Sequence, residues 1–538
     1  MRPLTESYWP AQDDIPLIET SSGDALRAAA ASRPDHLALI EGHPDPARRR
    51  RWTYAELLRD AEATARALLS RFKPGEHVAV WGGNSPEWII VQYGLALAGL
   101  VLVTVNPAYR AAELGYVLKQ SRARGVFHDR EYRGLDMAAA VQEALAGEHL
   151  ELDTVVVLDD LATFIRAHDR GAKLPAVDPR QPCMIQYTSG TTGRPKGALL
   201  NHYSITNNSR IMALVKALDQ DTVNLAVAPL FHTAGCVGNV LGMAQIGATL
   251  VLPAAFEPEL MLDLIEQERI TYGFGVPTML IALLAAQAKR PRDVSSLRSM
   301  FSGATIVPME VVRQVEEVFG VSLIIGYGQT ETSPAITHTR PHDAPIDKSE
   351  TIGQPIPQVE VKIIDPATGA TLPIDQPGEL CTRGFLVMMG YYDMPEATAA
   401  TIDADGWLHT GDLCSMDARG FCRVTGRLKD MIIRGGENIY PREVEEVLYT
   451  HPAVAEVAVV GLPDAYWGEV VGAVVTFKAG QTASGEALRE YVAARIARLK
   501  VPSQWFALDA IPATASGKLQ KFRLVEMFRA GALEVARI

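Results

Sequence analysis

Short apolar runs alternate with longer segments of helical period along most of the chain. The runs cover residues 78–80, 154–158, 248–252 and 322–325. Short apolar runs between helical segments are typical of parallel β-strands joined by helices. The sequence therefore predicts an α/β fold, in which the larger N-terminal part of the chain forms layered α/β subdomains.

The stretch at residues 88–105 is almost wholly apolar and approaches the length of a membrane span. Ser85 and Pro86 are typical of a helix start, whereas Gly99 is typical of a helix end. Residues 100–105 are rich in β-branched side chains, which favour a strand. We therefore predict a buried helix followed by a buried parallel strand, and no integral membrane span.

The pattern changes twice towards the C-terminus. Residues 351–427 contain short strands and turns with few helical periods, which predicts a β-rich subdomain. Beyond Arg427 the pattern predicts a helix, two strands and a second helix, at residues 441–449, 457–461, 470–477 and 486–496. These elements are enough for a small α+β domain, and we place the domain boundary near Leu428.

The composition is that of an ordinary globular protein, with 538 residues of which 48% are hydrophobic and 21% charged. The net charge of −12 argues against nucleic acid as a partner, because phosphate binding favours a basic face. The N-terminus has no signal-peptide core, and the cysteines form no C-x-x-C pair. We therefore expect a cytoplasmic protein with reduced, mostly buried thiols. The five cysteines are Cys183, Cys236, Cys381, Cys414 and Cys422.

A loop rich in glycine and hydroxyl groups follows an apolar run and reads YTSGTTGRPKG at residues 187–197. Glycines let the backbone approach an anion, hydroxyl and N–H groups donate to phosphate oxygens, and lysine adds a positive charge. The spacing differs from that of a Walker A loop, which needs G-x-x-x-x-G-K-[ST]. The candidate phosphate-binding residues are Thr188, Ser189, Gly190, Thr191, Thr192 and Lys196.

This loop resembles the phosphate-binding signature of the adenylate-forming enzymes, which include acyl-CoA synthetases, luciferases and peptide-synthetase adenylation domains. Five further segments lie in the order expected for that family, so the resemblance extends from about residue 52 to residue 523. It implies a large N-terminal domain, residues 1–427, that binds AMP and the acid. It also implies a small mobile C-terminal domain, residues 428–538, that carries a catalytic lysine.

The resemblance assigns two segments to the nucleotide and its metal. In GYGQTET at residues 326–332, the tyrosine would pack on adenine, the threonine would reach the α-phosphate, and the glutamate would hold Mg²⁺. A hard cation that bridges phosphates needs a carboxylate and keeps several waters. Small residues at 302–305 would form a turn beneath the adenine. The residues concerned are Gly303, Ala304, Thr305, Gly326, Tyr327, Gly328, Thr330 and Glu331.

Further segments match the ribose site, the hinge and the thiol site of the family. Asp412 would accept hydrogen bonds from the ribose hydroxyls, Arg427 would be a second nucleotide contact, and Lys429 aligns with the hinge between the domains. In residues 431–441, paired glycines would line a tunnel for the pantetheine arm of CoA. That CoA segment contributes Arg434, Gly435, Gly436 and Glu437.

Residues 514–521 match the segment that carries the catalytic lysine of the family. Lys518 follows Gly517, which gives the loop freedom to present the ammonium group. Lys521 is a second lysine close by and is the alternative candidate.

Residues 228–235 resemble the segment that opens the acyl pocket, in which His232 would gate the carboxylate end of the acid. A histidine buried in the core is the alternative interpretation of His232. Residues 234–241 carry no charge, and Asn239 is their only strongly polar side chain. Relatives that activate amino acids have an aspartate near this position, so we expect an apolar acid that is not an amino acid.

Together these features predict an ATP-dependent acyl-CoA ligase that uses ATP, Mg²⁺ and CoA and acts on a small-molecule carboxylic acid, of medium- or long-chain fatty type. An aryl- or polycyclic-acid ligase and an adenylation enzyme that loads a carrier protein stay open. A catalytically silent nucleotide-binding protein would lack Lys518 or Glu331, and both are present. The sequence leaves open whether the chain forms a homodimer.

Overall fold

The computed structural model describes residues 3–150, 152–188, 195–303, 307–434, 437–464, 466–513, 519–533 and 536–538. Its centre is a nine-stranded sheet whose six middle strands are parallel. Across the sheet the strands are Gln354–Pro355, Ala335–His338, Ser322–Gly328, Ser299–Gly303, Tyr272–Phe274, Val223–Leu225, Thr249–Leu252, Leu37–Glu41 and Arg51–Thr53.

A second sheet of seven strands has five parallel strands and an antiparallel edge. Its strands, in spatial order, are Gly390–Tyr391, Lys196–Asn201, Pro182–Thr188, Val101–Val105, His77–Trp81, Gly125–His128 and Thr154–Val157. The predicted apolar runs lie in strands of these two sheets, which confirms the α/β class.

The β-rich subdomain is a five-stranded antiparallel sheet. Its strands are Tyr8–Trp9, Val359–Ile364, Gly378–Gly384, Leu408–Met416 and Cys422–Arg427. The first of these comes from the N-terminus, so the subdomain is not formed by residues 351–427 alone.

The C-terminal part forms a separate α+β unit. Its sheet contains Glu437–Ile439, Ile432–Arg434, Gly468–Phe477 and Val454–Asp464, and Gln504–Ala507 pairs in parallel with Gly468–Phe477. A two-stranded ribbon elsewhere joins Glu131–Tyr132 to Leu135–Asp136. The predicted strands at 457–461 and 470–477 are present but longer, and the helix Pro441–Tyr449 has the predicted bounds.

Helices cover the faces of the sheets. The α-helices are Ser22–Ser32, Tyr54–Leu69, Pro86–Ala98, Ala111–Gln120, Met137–Glu148, Leu161–His168, His202–Val215, Gly242–Ile246, Pro258–Gln267, Pro277–Lys289, Met309–Phe319, Pro345–Glu350, Pro395–Ala399, Pro441–Tyr449, Gly485–Ala493 and Lys521–Arg529. Short 3₁₀ helices lie at Pro46–Arg48, Leu158–Asp160, Thr330–Thr332, Leu428–Asp430 and Arg498–Lys500, and Ala234–Leu241 is a π-helix.

The apolar stretch at 88–105 is a buried helix and strand, as predicted. The Ser85 side chain accepts from the Trp88 N–H at the start of Pro86–Ala98, and Gly99 ends the helix with φ of 67°. The strand Val101–Val105 is buried on both faces. Among the described residues, the helices are too short or too polar to cross a bilayer.

One large core joins the two main sheets. Side chains from both sheets and from the helix Pro86–Ala98 pack together, among them Leu39, Val78, Leu102 and Trp88, each with an exposed fraction of 2% or less. Burial of apolar side chains is the main stabilising force of such a core. The strand ends that carry the predicted motifs are therefore held on a rigid scaffold.

Candidate functional site

The predicted phosphate loop connects two antiparallel strands, Pro182–Thr188 and Lys196–Asn201. Thr188 and Lys196 are partners in the ladder, so they face each other at the base of the loop. Ser189, Gly190, Thr191 and Thr192 lie outside the described residues. The Thr188 hydroxyl is 3.5 Å from Glu331 Oε1, which brings the loop base next to the predicted metal ligand.

Glu331 lies in the 3₁₀ helix Thr330–Thr332 and accepts a hydrogen bond of 2.7 Å from the Tyr391 hydroxyl. Lys196 Nζ is 4.8 Å from the centroid of the Tyr391 ring. Burial, together with the nearby Glu331 charge, raises the pKa of Tyr391, so the phenol stays a hydrogen-bond donor. Tyr391 therefore links Glu331 to Lys196.

The donor set at Glu331 fits a hard divalent cation. Among the described residues, the hydrogen bonds to this carboxylate go to Oε1, which leaves Oε2 for a ligand. The carboxylate and the Thr188 hydroxyl are the oxygen donors that Mg²⁺ prefers. Thr330 is 6% exposed and lies beside Glu331.

Asp412 is 4% exposed and is held by three donors. The Tyr327 hydroxyl and Gln329 Nε2 donate to Oδ2 at 2.7 Å and 3.0 Å, and Arg427 Nε lies 2.9 Å from Oδ1. Burial, and secondarily Asp412, raises the pKa of Tyr327 well above its ordinary value. The structure thus brings Tyr327, Asp412 and Arg427 together.

Three predicted glycines form a tightly packed floor. Gly303 and Gly326 are partners in neighbouring strands, and a Cβ atom on Gly303 would lie 2.7 Å from the Gly326 carbonyl oxygen. A Cβ atom on Gly328 would lie 1.9 Å from the Pro334 oxygen. Protein packing alone therefore requires glycine at these positions, and the three glycines add no side chain of their own to the floor. Ala304 and Thr305 lie outside the described residues.

A hydrogen-bonded network supports the Asp412 strand. Glu379 Oε1 accepts from the Gly411 N–H at 3.0 Å, and its Oε2 is 2.9 Å from His409 Nδ1. Cys381 lies close enough to both to suit a metal, which the sequence spacing did not indicate. Because both Glu379 oxygens already have partners, the network is explained as support for residues 409–412. All five cysteines are free and buried, as predicted.

His232 is exposed, so the alternative of a core histidine is wrong. The π-helix Ala234–Leu241 follows it, and the N–H groups of Gly235 and Cys236 donate to the His232 carbonyl. The Gln186 side-chain amide donates to the Phe231 carbonyl. This bond connects the strand before the phosphate loop to the predicted mouth of the acyl pocket.

The predicted hinge and CoA segments adjoin each other along the chain. Lys429 is exposed in the 3₁₀ helix Leu428–Asp430. Arg434 and Glu437 are partners in a hairpin, and Arg434 Nη1 donates to the Leu499 carbonyl at 2.8 Å. Gly435 and Gly436, between them, lie outside the described residues.

Lys518 also lies outside the described residues, but its flanks are described. Ala513 and Leu519, on either side of residues 514–518, form an antiparallel bridge. The alternative candidate Lys521 forms an ion pair of 2.7 Å with Glu445. Its ammonium group is therefore engaged inside the C-terminal unit.

Sequence reasoning missed two side chains of the site, Tyr391 and Gln329. Gln329 lies inside the predicted segment 326–332, and its amide donates to Asp412 and to the Thr410 carbonyl. Tyr391 is 60 residues from Glu331 along the chain, and no local pattern indicates the contact.

Comparison with known proteins identifies the class. Residues 26–392 match the family model of the AMP-binding enzymes, and residues 443–518 match the model of the AMP-binding enzyme C-terminal domain. The chain belongs to this family of adenylate-forming enzymes, and its enzyme class is that of the AMP-forming acid–thiol ligases. The resemblance stated from the motifs is therefore confirmed.

Two relatives and one solved structure show how similar this chain is to individual ligases. The chain is 42% identical to the putative acyl-CoA synthetase YngI of Bacillus subtilis, over 95% of this chain and 98% of the relative. It is 34% identical to the mitochondrial medium-chain acyl-CoA ligase ACSF2 of Rattus norvegicus, over 97% and 89%. The structure of the anthranilate CoA ligase AuaEII with anthranoyl-AMP superimposes with a TM-score of 0.85, at 27% identity over 97% and 99%.

Proposed function

We propose that the protein activates an apolar carboxylic acid, of medium- or long-chain fatty type, through an acyl-adenylate and transfers the acyl group to CoA. The observation that carries the proposal is the arrangement of two polar centres, together with an uncharged segment whose entry is bonded to the strand before the phosphate loop. Asp412 with its three donors suits a ribose, and Glu331 with Thr188 and Lys196 suits phosphates and a cation. The uncharged π-helix Ala234–Leu241 suits an apolar chain.

In the first step, an oxygen of the acid forms a bond to the α-phosphorus of ATP, and pyrophosphate leaves. Thr188, Thr330 and Lys196 would hold the phosphates in line, and Lys518 would add positive charge at the reacting group. These residues position the reactants and stabilise charge, and they transfer no proton. Mg²⁺, held by Glu331, would supply charge neutralisation on the phosphate oxygens.

In the second step, the CoA thiol releases its proton to solvent and its sulfur forms a bond to the acyl carbon, while the bond between that carbon and the phosphate oxygen breaks and AMP leaves. We propose that the C-terminal domain, residues 428–538, rotates about Lys429 between the steps. This rotation would withdraw Lys518 and bring Gly435 and Gly436 to the thiol. The exposed position of Lys429 in a short 3₁₀ helix supports the hinge, because few contacts there resist a change of backbone dihedrals.

A second candidate substrate class is an aryl acid. It is favoured by the close structural similarity to the anthranilate CoA ligase. The medium-chain ligase name of the ACSF2 relatives and the uncharged pocket segment favour the fatty acid. The cytoplasmic location and the homodimer stay predictions.

The proposal is tested by measuring CoA-dependent AMP release with a panel of fatty, aryl and terpenoid acids. We expect AMP release that requires both an acid and CoA and is fastest with a fatty acid. Glu331→Gln, which removes the carboxylate charge, serves as the matched negative control. The proposal would be contradicted if no acid gave AMP release, or if the rate of AMP release were the same with and without CoA.

Chain length should govern specificity among saturated monocarboxylic acids. Each buried methylene contributes about 0.8 kcal/mol, so kcat/KM should rise about three- to fourfold per added CH₂ until the pocket is full. The measurement is a series of straight-chain acids that differ by one carbon. A series without a rise, or a preference for amino acids, would show that Ala234–Leu241 does not line an apolar pocket.

Replacing Asp412 with asparagine should raise the KM for ATP about 10- to 150-fold, because a hydrogen bond to a charged group contributes about 1.5–3 kcal/mol. The substitution removes the charge that Arg427 faces and turns one acceptor into a donor. Steady-state kinetics with varied ATP measures the effect. Asp293→Asn is the control, since Asp293 pairs with Arg269 on an exposed surface. An unchanged KM for ATP in the Asp412 variant would exclude the ribose role.

A further inference from the structure

Lys216 is a buried lysine that has no acidic partner among the residues the structure describes. It follows the helix His202–Val215 and is 5% exposed. Its ammonium nitrogen is 4.1 Å from the centroid of the Phe301 ring and 5.6 Å from that of Tyr272. Within the described parts of the chain, its ammonium group has these ring contacts and an electrostatic interaction with His338, and it forms no ion pair with a carboxylate. A buried charge is costly unless it is paired and hydrogen-bonded, so this side chain needs an explanation.

Other buried polar atoms that have no partner among the described residues lie on the nine-stranded sheet or on the π-helix that packs near it. Asn224 Nδ2 donates to Asn239 Oδ1 at 3.2 Å, which leaves Asn224 Oδ1 and Asn239 Nδ2 without a partner among the described residues. Both ring nitrogens of His338 also have no hydrogen-bond partner in the described part of the chain, and the His338 and Phe301 ring centroids are 5.2 Å apart. We call Lys216, Asn224, Asn239, Phe301 and His338 the Lys216 cluster.

The Lys216 cluster adjoins the proposed acyl and nucleotide sites. Asn239 belongs to the π-helix that we assign to the acyl pocket. His338 is the ladder partner of Gly326, and a Cβ atom on Gly326 would lie 2.6 Å from both the His338 and Phe301 rings. The Lys216 cluster therefore lies next to the glycine floor of the nucleotide site, on the side of the His338 and Phe301 rings.

A second buried lysine, Lys348, has the hydrogen-bond and ion-pair partners expected of a lysine with a structural role. Lys348 is 4% exposed, and its ammonium group donates to Glu316 Oε1 at 2.8 Å, to Ser322 Oγ at 2.8 Å and to the Pro341 carbonyl at 3.2 Å. Among the described residues, Lys216 has none of these kinds of partner. Burial lowers the pKa of Lys216 to about 7 and that of His338 well below its ordinary value. Both pKa values are lowered because burial removes these groups from water and so disfavours their charged forms.

We propose that the Lys216 cluster is a specificity-determining subsite that binds an oxygen acceptor on the far end of the acid substrate. The acceptor is a carboxylate, ketone or hydroxyl oxygen, to which the Lys216 ammonium and the Asn239 amide donate. The inference rests on the proposed function, because it takes the acid to lie along Ala234–Leu241. In the proposed function the reacting carboxyl group would lie at the α-phosphate, near the residues that hold the phosphates, so the Lys216 cluster would contact a second polar group of the acid.

The test compares acids of equal length that carry a plain methyl end, an ω-carboxyl, an ω-hydroxyl or an (ω−1)-oxo group. In the unmodified protein, at least one oxygenated acid should have a kcat/KM about 10- to 100-fold above that of the plain acid, since the bond involves a charged donor. Lys216→Met should abolish this preference and favour the plain acid. If Lys216→Met lowers kcat/KM most for the ω-carboxyl acid, the acceptor is a carboxylate that forms a charge pair with Lys216. If it lowers kcat/KM most for the oxo or hydroxyl acid, the acceptor is a neutral oxygen.

Lys348→Met is the matched control. It should lower the thermal unfolding temperature, because it leaves Glu316 without its partner, and it should leave the ratio between acids unchanged. Lys216→Met should not lower that temperature, because among the described residues no hydrogen-bond or ion-pair partner loses a bond. Calorimetric binding of the preferred oxygenated acid should weaken in Lys216→Met, which checks the subsite without turnover.

The outcomes separate the subsite from the activity. In one outcome, AMP release depends on acid and CoA but is fastest with the plain acid, in both the unmodified protein and Lys216→Met. This result overturns the subsite and leaves the proposed ligase activity standing. The subsite is also overturned if Lys216→Met reduces activity equally with all acids and lowers the unfolding temperature. Absence of AMP release with any acid overturns the proposed function, and unchanged calorimetric binding in Lys216→Met then overturns the subsite as well.

Discussion

Replacing Lys518 with alanine should slow formation of the acyl-adenylate by about two to three orders of magnitude, the usual effect of losing a preorganised charge contact in a transition state. Thioester formation from supplied acyl-AMP should stay close to the normal rate. The reason is that Lys518 would meet the reacting phosphate only in the conformation that makes the adenylate. Measuring the two half-reactions separately checks this expectation.

Lys521→Ala is the control for this substitution. Lys521 also carries an ammonium group in the same segment, but it pairs with Glu445 at 2.7 Å, so its loss should leave both half-reactions nearly unchanged. Equal losses in both half-reactions of the Lys518 variant would contradict domain alternation. A larger loss in the Lys521 variant would show that Lys521, and not Lys518, is the catalytic lysine.

Replacing Lys429 with proline should block thioester formation and spare adenylate formation. Proline fixes φ near −65° and removes the amide donor, so a rotation of the chain at this position would be arrested. Lys429 is exposed at the start of the C-terminal unit, so the substitution does not create a cavity in a core. Single-turnover assays of each half-reaction provide the measurement.

Lys429→Ala separates the backbone effect from loss of the side chain. It keeps the free rotation about φ and should therefore make acyl-CoA at close to the normal rate. If Lys429→Pro also makes acyl-CoA normally, the hinge lies elsewhere. If the alanine variant fails as the proline variant does, the side chain matters rather than the rotation.

Local patterns predicted the elements of the fold better than their pairing. The helix Pro86–Ala98 and the strand Val101–Val105 follow from a capping serine, a terminal glycine and β-branched residues, all of which act locally. The pairing of Tyr8–Trp9 with Val359–Ile364 joins residues more than 300 positions apart, which no short-range pattern encodes. The π-helix Ala234–Leu241 was likewise not predicted.

The functional site shows the same difference between residues that local patterns predict and contacts that join distant parts of the chain. Thr188, Glu331, Asp412 and Arg427 were found because they lie in continuous motifs, and the structure brings them into two hydrogen-bonded groups. Tyr391 was missed because its partner Glu331 lies 60 residues away along the chain, in a 3₁₀ helix. The Lys216 cluster was also missed, because a single lysine in a sequence is ordinarily a solvated surface group. Its burial is apparent only when the helix His202–Val215 is packed on the sheet.

Exchange of labelled pyrophosphate into ATP, measured without CoA, tests the central claim most directly. An enzyme that works through an acyl-adenylate should catalyse exchange that requires the acid and ATP, because the first step is reversible before the thiol enters. Adding CoA should then release one AMP for each acyl-CoA formed. Exchange that needs no acid, or release of ADP and phosphate in place of AMP and pyrophosphate, would contradict the account.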